Sequence, residues 1–461
     1  MRRLPGPGTD RGRLLLILAL AAAVTVFTAT VPLLRDWFDL RVYHGTVDSW
    51  VHDGGRVYDY RVPGTPYGFT YPPFAAVVML PMALVGLHTA IAAALLLNLT
   101  ALTVAVRILT GPGWRRHGWY GVALAACALA LFEPLRDTLS FGQVNLLLLA
   151  LVLTDCSLLA TGRTRWAGIG IGLAAAVKLT PALFIGLLLV AGRRRAAAVA
   201  TGVAVAATGC AALAAPDASR FYWTHALWDT TRVGRLDYVS NQSLQGILAR
   251  LGVESRPVWG ALVLLVLCCW AWRSRRAVAA GNWPAAFALT GLTACLVSPI
   301  TWVHHLVWLL PSFAVLVRAG HPRVAGALYA VLCTSVVWLW FDDASGVDGF
   351  LGGNLYTWIT LGLLLRLPVG QPPERRRPKS HSTRATEPPP STAAPVTTAA
   401  SDQPGPSSAA ATVSETVTAA AATGVASGPG LGRARSASSE PTGSTRPAAP
   451  NPQSSSSRAS S

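Results

Sequence analysis

Five aspartates, Asp36, Asp39, Asp48, Asp53 and Asp59, fall between Arg35 and Pro73 of a 461-residue chain that holds only 21 Asp and Glu in all. Acid this scarce, gathered in one stretch, marks a place for proton chemistry. A carboxylate held at an apolar boundary can take a proton from a hydroxyl brought against it, which is general-base chemistry. Around Asp39, the residues Leu40, Tyr43, Val47, Trp50 and Val51 recur at helical spacing, with Arg41, His44, Asp48 and His52 on the other side. The pattern predicts an amphipathic helix resting on a membrane surface with Asp39 in its first turn. There its carboxylate has two roles open to it, helix cap or general base.

Other polar residues stand out against apolar sequence. Lys178 sits in AAAVKLTPALF, where Pro181 disfavours helix at Thr180 and leaves the lysine short of the water interface. Its natural partner is an anion such as a lipid-linked phosphate. Gln143 and Asn145 in SFGQVN open a span, where amides serve either backbone groups or a ligand. His304 and His305 in SPITWVHHLVW are adjacent and so point apart on a helix, a poor pair for a metal, but one of them can orient Asp39 or contact phosphate. Between Pro216 and Pro257 come FYWTHALWD, then Arg232 and Arg235, then DYVSNQSLQGILAR. The aromatics fit either an interface belt or sugar stacking, and Asn241 and Gln242 are candidates to read hydroxyls.

The elements that must hold these groups are apolar. With 52% hydrophobic and 13% charged residues and a mean hydropathy of +0.43, the chain is too apolar for a soluble globular protein. It is an all-α polytopic membrane protein. The net charge of +17 sits largely in short loops between apolar spans, which is an orientation signal and argues against nucleic acid as a partner. All seven cysteines lie in apolar segments without metal-ligand spacing.

About twelve spans are expected: Leu14 to Leu34, His88 to Leu109, Trp119 to Phe132, Val144 to Ala160, Trp166 to Val177, Pro181 to Ala191, Ala196 to Ala215, Val258 to Trp272, Trp283 to Ile300, His305 to Leu316, Val324 to Phe341 and Leu355 to Pro368. Pro73 to Val85 is short and interrupted by Pro81. Counted as a span it would invert every later loop, so it is read as a second interfacial helix of the first outer loop. The two spans meeting at Lys178-Leu179-Thr180-Pro181 form a broken hairpin that lines a cavity. Both termini then lie in the cytoplasm. Arginine-bearing loops such as Arg193 to Arg195 fall inside, and every acidic residue of the membrane part except Asp155 falls outside. Three segments follow: a basic N-terminus (1–13), a transmembrane domain (14–369) and a Pro/Ser/Ala/Thr-rich cytoplasmic tail (370–461) that is too poor in large apolar residues to fold and whose Glu374 to Lys379 can touch anionic lipid heads.

Six strings in order, FDLRVYH, YPPFAAVVMLP opening on Tyr71, FGQVNLLLLALVL, KLTPALF, NQSLQG and SPITWVHHLVW, resemble the actinobacterial family 87 glycosyltransferases. These are polyprenol-phosphate-mannose-dependent α-1,2-mannosyltransferases of the GT-C superfamily. The resemblance runs from about Leu14 to Pro368 and leaves the tail outside. It implies a GT-C-type fold in the cytoplasmic membrane, with the essential aspartate of the first outer loop at Asp39 and the histidine motif, His304 and His305, near it.

The resemblance further implies a polyprenyl-phosphate mannose donor and a phosphatidylinositol mannoside or lipoglycan acceptor. Asp39 would activate the acceptor hydroxyl; on physical grounds, apart from the resemblance, Lys178 is a phosphate contact, and Tyr71, Gln143, Asn145, Arg232, Arg235, Asn241 and Gln242 complete the substrate-binding set. On this reading Asp36 is a helix cap, and Asp48, Asp53 and Asp59 are solvated or on the acceptor side. No cofactor or metal is expected, and membrane lipids are the remaining partners. A transporter or flippase of lipid-linked sugars, or the same enzyme class with another sugar, stays open, although the polar groups cluster on one face and not at the midplane.

Overall fold

The computed structural model describes residues 8–30, 36–111 and 118–370. They belong to the first of two compact units, Met1–Ser380. The second unit, which holds most of the expected tail, and the Glu374 to Lys379 cluster lie outside the described residues.

The described chain is helical, and its one β-type pairing is an isolated antiparallel bridge between Arg61 and Gly68. Four helices are long and apolar enough to cross a bilayer: Asp10–Thr30, Leu87–Thr110, Arg194–Ala214 and Arg256–Ala279. A fifth candidate is the pair Gly118–Leu131 and Glu133–Phe141, bent by 75°. Most of the other expected spans correspond to helices of 10–17 residues, such as Asn145–Ala160 and Trp283–Val297. Length and composition therefore qualify four or five spans, against the twelve expected. The difference has a physical source, because a helix enclosed by other helices need not meet the thickness requirement of one that faces lipid. Trp283–Val297 is buried along nearly its whole length and packs between neighbours on several sides.

The predicted break at Lys178 is present. Helix Ile169–Val177 ends with Lys178 in an extended conformation (φ −148°, ψ 132°), followed by a 3-10 turn at Thr180–Ala182 and helix Leu183–Val190. The sequence GIGIG explains how this helix is held. A Cβ on Gly170 would lie 2.4 Å from the Leu151 carbonyl oxygen, and one on Gly172 would lie 2.5 Å from that of Ala200. Glycine thus lets the helix seat against backbone on two sides. Asp155, the one acid placed inside the membrane part, accepts the Ile171 N–H at 2.7 Å and so satisfies the open end of this helix.

The aspartate-rich stretch folds into a separate small core. Leu40, Val42, Tyr43 and Val47 from helix Phe38–His52 pack with Tyr58, Phe69, Tyr71, the Pro73–Leu84 segment and Tyr222. The helix therefore spends its apolar face on protein, whereas the sequence pattern placed that face on lipid, and Val51 at its end is 48% exposed. Asp36 is not its cap. Trp37 holds the N-cap position with no side-chain bond, and Asp36 pairs with Arg41 at 2.7 Å.

Candidate active site

The break at Lys178, the start of helix Phe38–His52 and the His304/His305 turn converge on one cavity of about 800 Å³. Its polar wall holds Asp39, Tyr71, Gln143, Lys178, His304 and His305. Leu179, Leu183, Ala294 and Val297 make an apolar wall, and Tyr238, Trp302 and Trp338 contribute aromatic rings.

Asp39 sits in the first turn of its helix, half-buried. Gln143 donates its Nε2–H to Asp39 Oδ2 at 2.6 Å. Burial is the main influence on the carboxyl and raises its pKa to about 6, against the opposing pull of the Gln143 bond and of Lys178. The approach of Gln143 depends on the residue before it. Helix Glu133–Phe141 ends at Gly142 with φ 71°, a left-handed C-cap whose N–H bonds back to the Leu139 carbonyl. A Cβ there would lie 2.6 Å from Leu40 Cβ, so glycine is what lets the two elements close until Gln143 reaches Asp39.

From Gln143 the bonds continue inward. Tyr71 donates its hydroxyl to Gln143 Oε1 at 2.7 Å, and Tyr43 donates to the Tyr71 oxygen at 3.0 Å. Lys178 Nζ stands 3.1 Å from that same oxygen, 3.0 Å from Asn145 Oδ1 and 2.8 Å from His305 Nε2. Asn145 is itself oriented, because its Nδ2 donates to the His304 carbonyl at 3.2 Å. The Trp302 N–H donates to His305 Nδ1 at 3.1 Å. Asp39, Tyr71, Gln143, Asn145, Lys178 and His305, spread over 267 positions of sequence from Asp39 to His305, thus form one continuous hydrogen-bonded cluster. His304 is buried beside it, its ring set against Phe141 and His305 with centroids 5.1 and 4.5 Å away.

Arg232 and Arg235 also line the cavity. Arg232 donates to the Tyr58 carbonyl at 3.0 Å and lies over the Phe221 ring, while Arg235 grips Asp237 with two bonds. Asn241 and Gln242 stand apart from the cavity. Both are fully buried and neither lines the cavity. Asn241 donates to the carbonyls of Leu236 and Pro299 and accepts the Thr301 N–H at 2.9 Å. Gln242 donates to Val239 and Gly353 and accepts from Thr357. Their amides are spent mainly on backbone: Asn241 docks the NQS loop onto the segment that leads to Trp302 and His305, and Gln242 docks it onto Gly353 and Thr357.

Residues the sequence pattern did not single out also matter. Tyr43, assigned to a lipid-facing stripe, puts its hydroxyl on Tyr71, and a tyrosine in such a stripe carries a polar tip that must find a partner. Among the described residues no three of His, Cys, Asp and Glu come together in a way that could hold a metal ion.

A sequence model described as glycosyltransferase family 87 matches residues 69–299. The chain belongs to glycosyltransferase family 87. Relatives of the chain include a Mycobacterium tuberculosis protein named polyprenol-phosphate-mannose-dependent alpha-(1-2)-phosphatidylinositol mannoside mannosyltransferase, 34% identical over 320 residues that cover 65% of this chain and 74% of the relative. A Mycolicibacterium smegmatis protein with the corresponding pentamannoside name is 36% identical over 334 residues, covering 68% of this chain and 77% of the relative. No solved structure matches. Membership in family 87 makes the chain a membrane glycosyltransferase and sets aside the transporter reading. The matched stretch contains Tyr71, Gln143, Asn145 and Lys178 but ends short of His304 and His305 and begins after Asp39. Those three join it in space.

Proposed function

We propose that the chain transfers mannose from polyprenyl-phosphate mannose to an inositol-lipid mannoside, forming an α-1,2 linkage with inversion at the outer side of the cytoplasmic membrane. The observation that carries the reading is Gln143, which joins a carboxylate poised near neutrality to the tyrosine that contacts Lys178, all on one cavity wall.

The chemistry follows from those positions. Asp39 takes the proton from the acceptor hydroxyl as its oxygen attacks the anomeric carbon from the side opposite the phosphate. The bond from that carbon to the phosphate oxygen breaks, and a β-linked donor becomes an α-linked product. Negative charge gathers on the departing phosphate, where Lys178 stabilises it more than in the ground state. The apolar wall of Leu179, Leu183, Ala294 and Val297 suits the isoprenoid chain, and the rings of Tyr238, Trp302 and Trp338 suit sugar faces. Both termini belong on the cytoplasmic side, with residues 14–369 as the catalytic membrane domain and the segment from 370 as a cytoplasmic tail.

The test is transfer of labelled mannose in membranes supplied with polyprenyl-phosphate mannose and phosphatidylinositol mannosides. The wild-type chain should extend the acceptor, and Asp39→Asn should lower transfer by roughly a hundredfold or more. Transfer that is absent from the wild type, or unchanged by the substitution, would refute the reading.

A further inference from the structure

The bonds around Lys178 fix where the hydrogens are, and the count leads to an unexpected charge state. The Trp302 backbone N–H can only donate, and it lies 3.1 Å from His305 Nδ1. That nitrogen must accept, so a neutral His305 carries its proton on Nε2. Nε2 in turn lies 2.8 Å from Lys178 Nζ. An ammonium group there would set N–H against N–H. An uncharged amine has one lone pair and two hydrogens, and the surroundings ask for that number: the lone pair faces His305 Nε2–H, and the two hydrogens face Asn145 Oδ1 at 3.0 Å and Tyr71 Oη at 3.1 Å. Neither acceptor can reverse its role. Asn145 Nδ2 is committed to the His304 carbonyl, and the Tyr71 hydroxyl hydrogen is committed to Gln143 Oε1, whose amide end is held by Asp39.

We propose that His305 holds Lys178 as an uncharged amine while the site is empty, and that the lysine takes up a proton when an anionic phosphodiester enters. The step is RNH₂ plus one proton from solvent plus a phosphodiester monoanion, giving an ammonium–phosphate pair. Protonation removes the lone pair that received His305 Nε2–H, so that hydrogen turns to a phosphate oxygen. The phosphate is then gripped by both groups. His305, and not His304, becomes the member of the histidine pair that contacts the donor. The pull that lowers the Asp39 pKa belongs to the charged lysine, so while Lys178 is uncharged that pull is absent and the carboxyl is the more basic for it. The groups that face Lys178 are Asp39 and Tyr43 from helix Phe38–His52, Tyr71, Asn145, Cys295 from helix Trp283–Val297, and His305 with His304 behind it.

The inference rests on the donor reading above only in requiring a prenyl phosphodiester. The test is calorimetric titration of the full chain in nanodiscs at pH 8 with a mannose-free prenyl phosphodiester, whose own phosphate does not titrate, in buffers of different ionisation enthalpy. The expected result is uptake of about one proton per ligand bound. Lys178→Arg is always charged and should bind with uptake near zero. His305→Gln offers a carbonyl that accepts from an ammonium group, so its uptake should also fall toward zero, while Asp39→Asn should keep the wild-type uptake. Binding to the wild type without proton uptake, or uptake that survives Lys178→Arg or disappears in Asp39→Asn, would overturn the proposal. If the mannosyl diester binds no better than the mannose-free one while uptake is seen, the mannose reading fails alone. A chain that binds neither diester overturns both.

Discussion

Gln143 Nε2 meets Asp39 Oδ2 at 2.6 Å, so one amide hydrogen holds one carboxylate oxygen, and the proposed proton transfer falls to Oδ1. The other end of the same amide accepts from Tyr71, which makes Gln143 the joint between the surface helix and the lysine pocket.

Removing that joint should change the acidity of Asp39 in a known direction. The amide bond lowers the carboxyl pKa against a larger rise caused by burial, so Gln143→Leu lets the pKa climb above its present value of about 6. In a profile of kcat/KM against pH, the acid limb should move to higher pH. An unmoved limb with a lowered plateau would mean that Gln143 only positions the base.

For the wild type, the same carboxyl sets the sign of the pH response. As the proposed base, Asp39 works only when ionised, and its pKa of about 6 leaves it largely ionised at pH 7. Transfer should therefore fall as pH drops through 6, reaching about a tenth of its plateau near pH 5. Rates measured from pH 4.5 to 8 check this.

Gly142→Ala tests the closure of two elements. The new Cβ would need φ 71° and would lie 2.6 Å from Leu40 Cβ. The expected cost is about 1–3 kcal/mol, read as a lowered Tm, with transfer reduced further because Gln143 is pushed back from Asp39.

Asn241→Ala separates a structural amide from a sugar-reading one. The loss takes the Asn241 partner from the Thr301 N–H and the Leu236 carbonyl, while the Pro299 carbonyl keeps Ser243 Oγ, at about 1–3 kcal/mol. Stability should fall while the acceptor KM of the folded fraction stays put. A raised acceptor KM at unchanged Tm would return Asn241 to the substrate-binding set.

Part of this site is legible along the chain. Asp39 stands out because acid is rare, and Lys178 because apolar sequence flanks it and Pro181 breaks the helix beside it. These are local signals. The role of Gln143 is not local, since its two partners lie 104 and 72 positions away, and the same is true of Gln242, whose amide meets Gly353 and Thr357. A buried amide looks alike in sequence whether it faces a ligand or a backbone carbonyl. Hydropathy has a similar limit, because Trp283–Val297 reads as a span whether lipid or protein surrounds it, and here protein does. The stripe of helix Phe38–His52 is legible as apolar, but what covers it depends on Phe69, Tyr71 and Tyr222 arriving from other segments.

The glycine contacts of helix Ile169–Val177 carry a consequence for substrate choice. Gly170 and Gly172 seat this helix directly on neighbouring backbone, so the helix that ends at Lys178 has little room to slide. On the donor reading, the phosphate is then held at a set depth in the bilayer, and any difference in isoprenoid length is taken up beyond the cavity, in the lipid. On that reading the enzyme would measure its donor from the sugar to the first isoprene units and leave the rest of the chain uncounted.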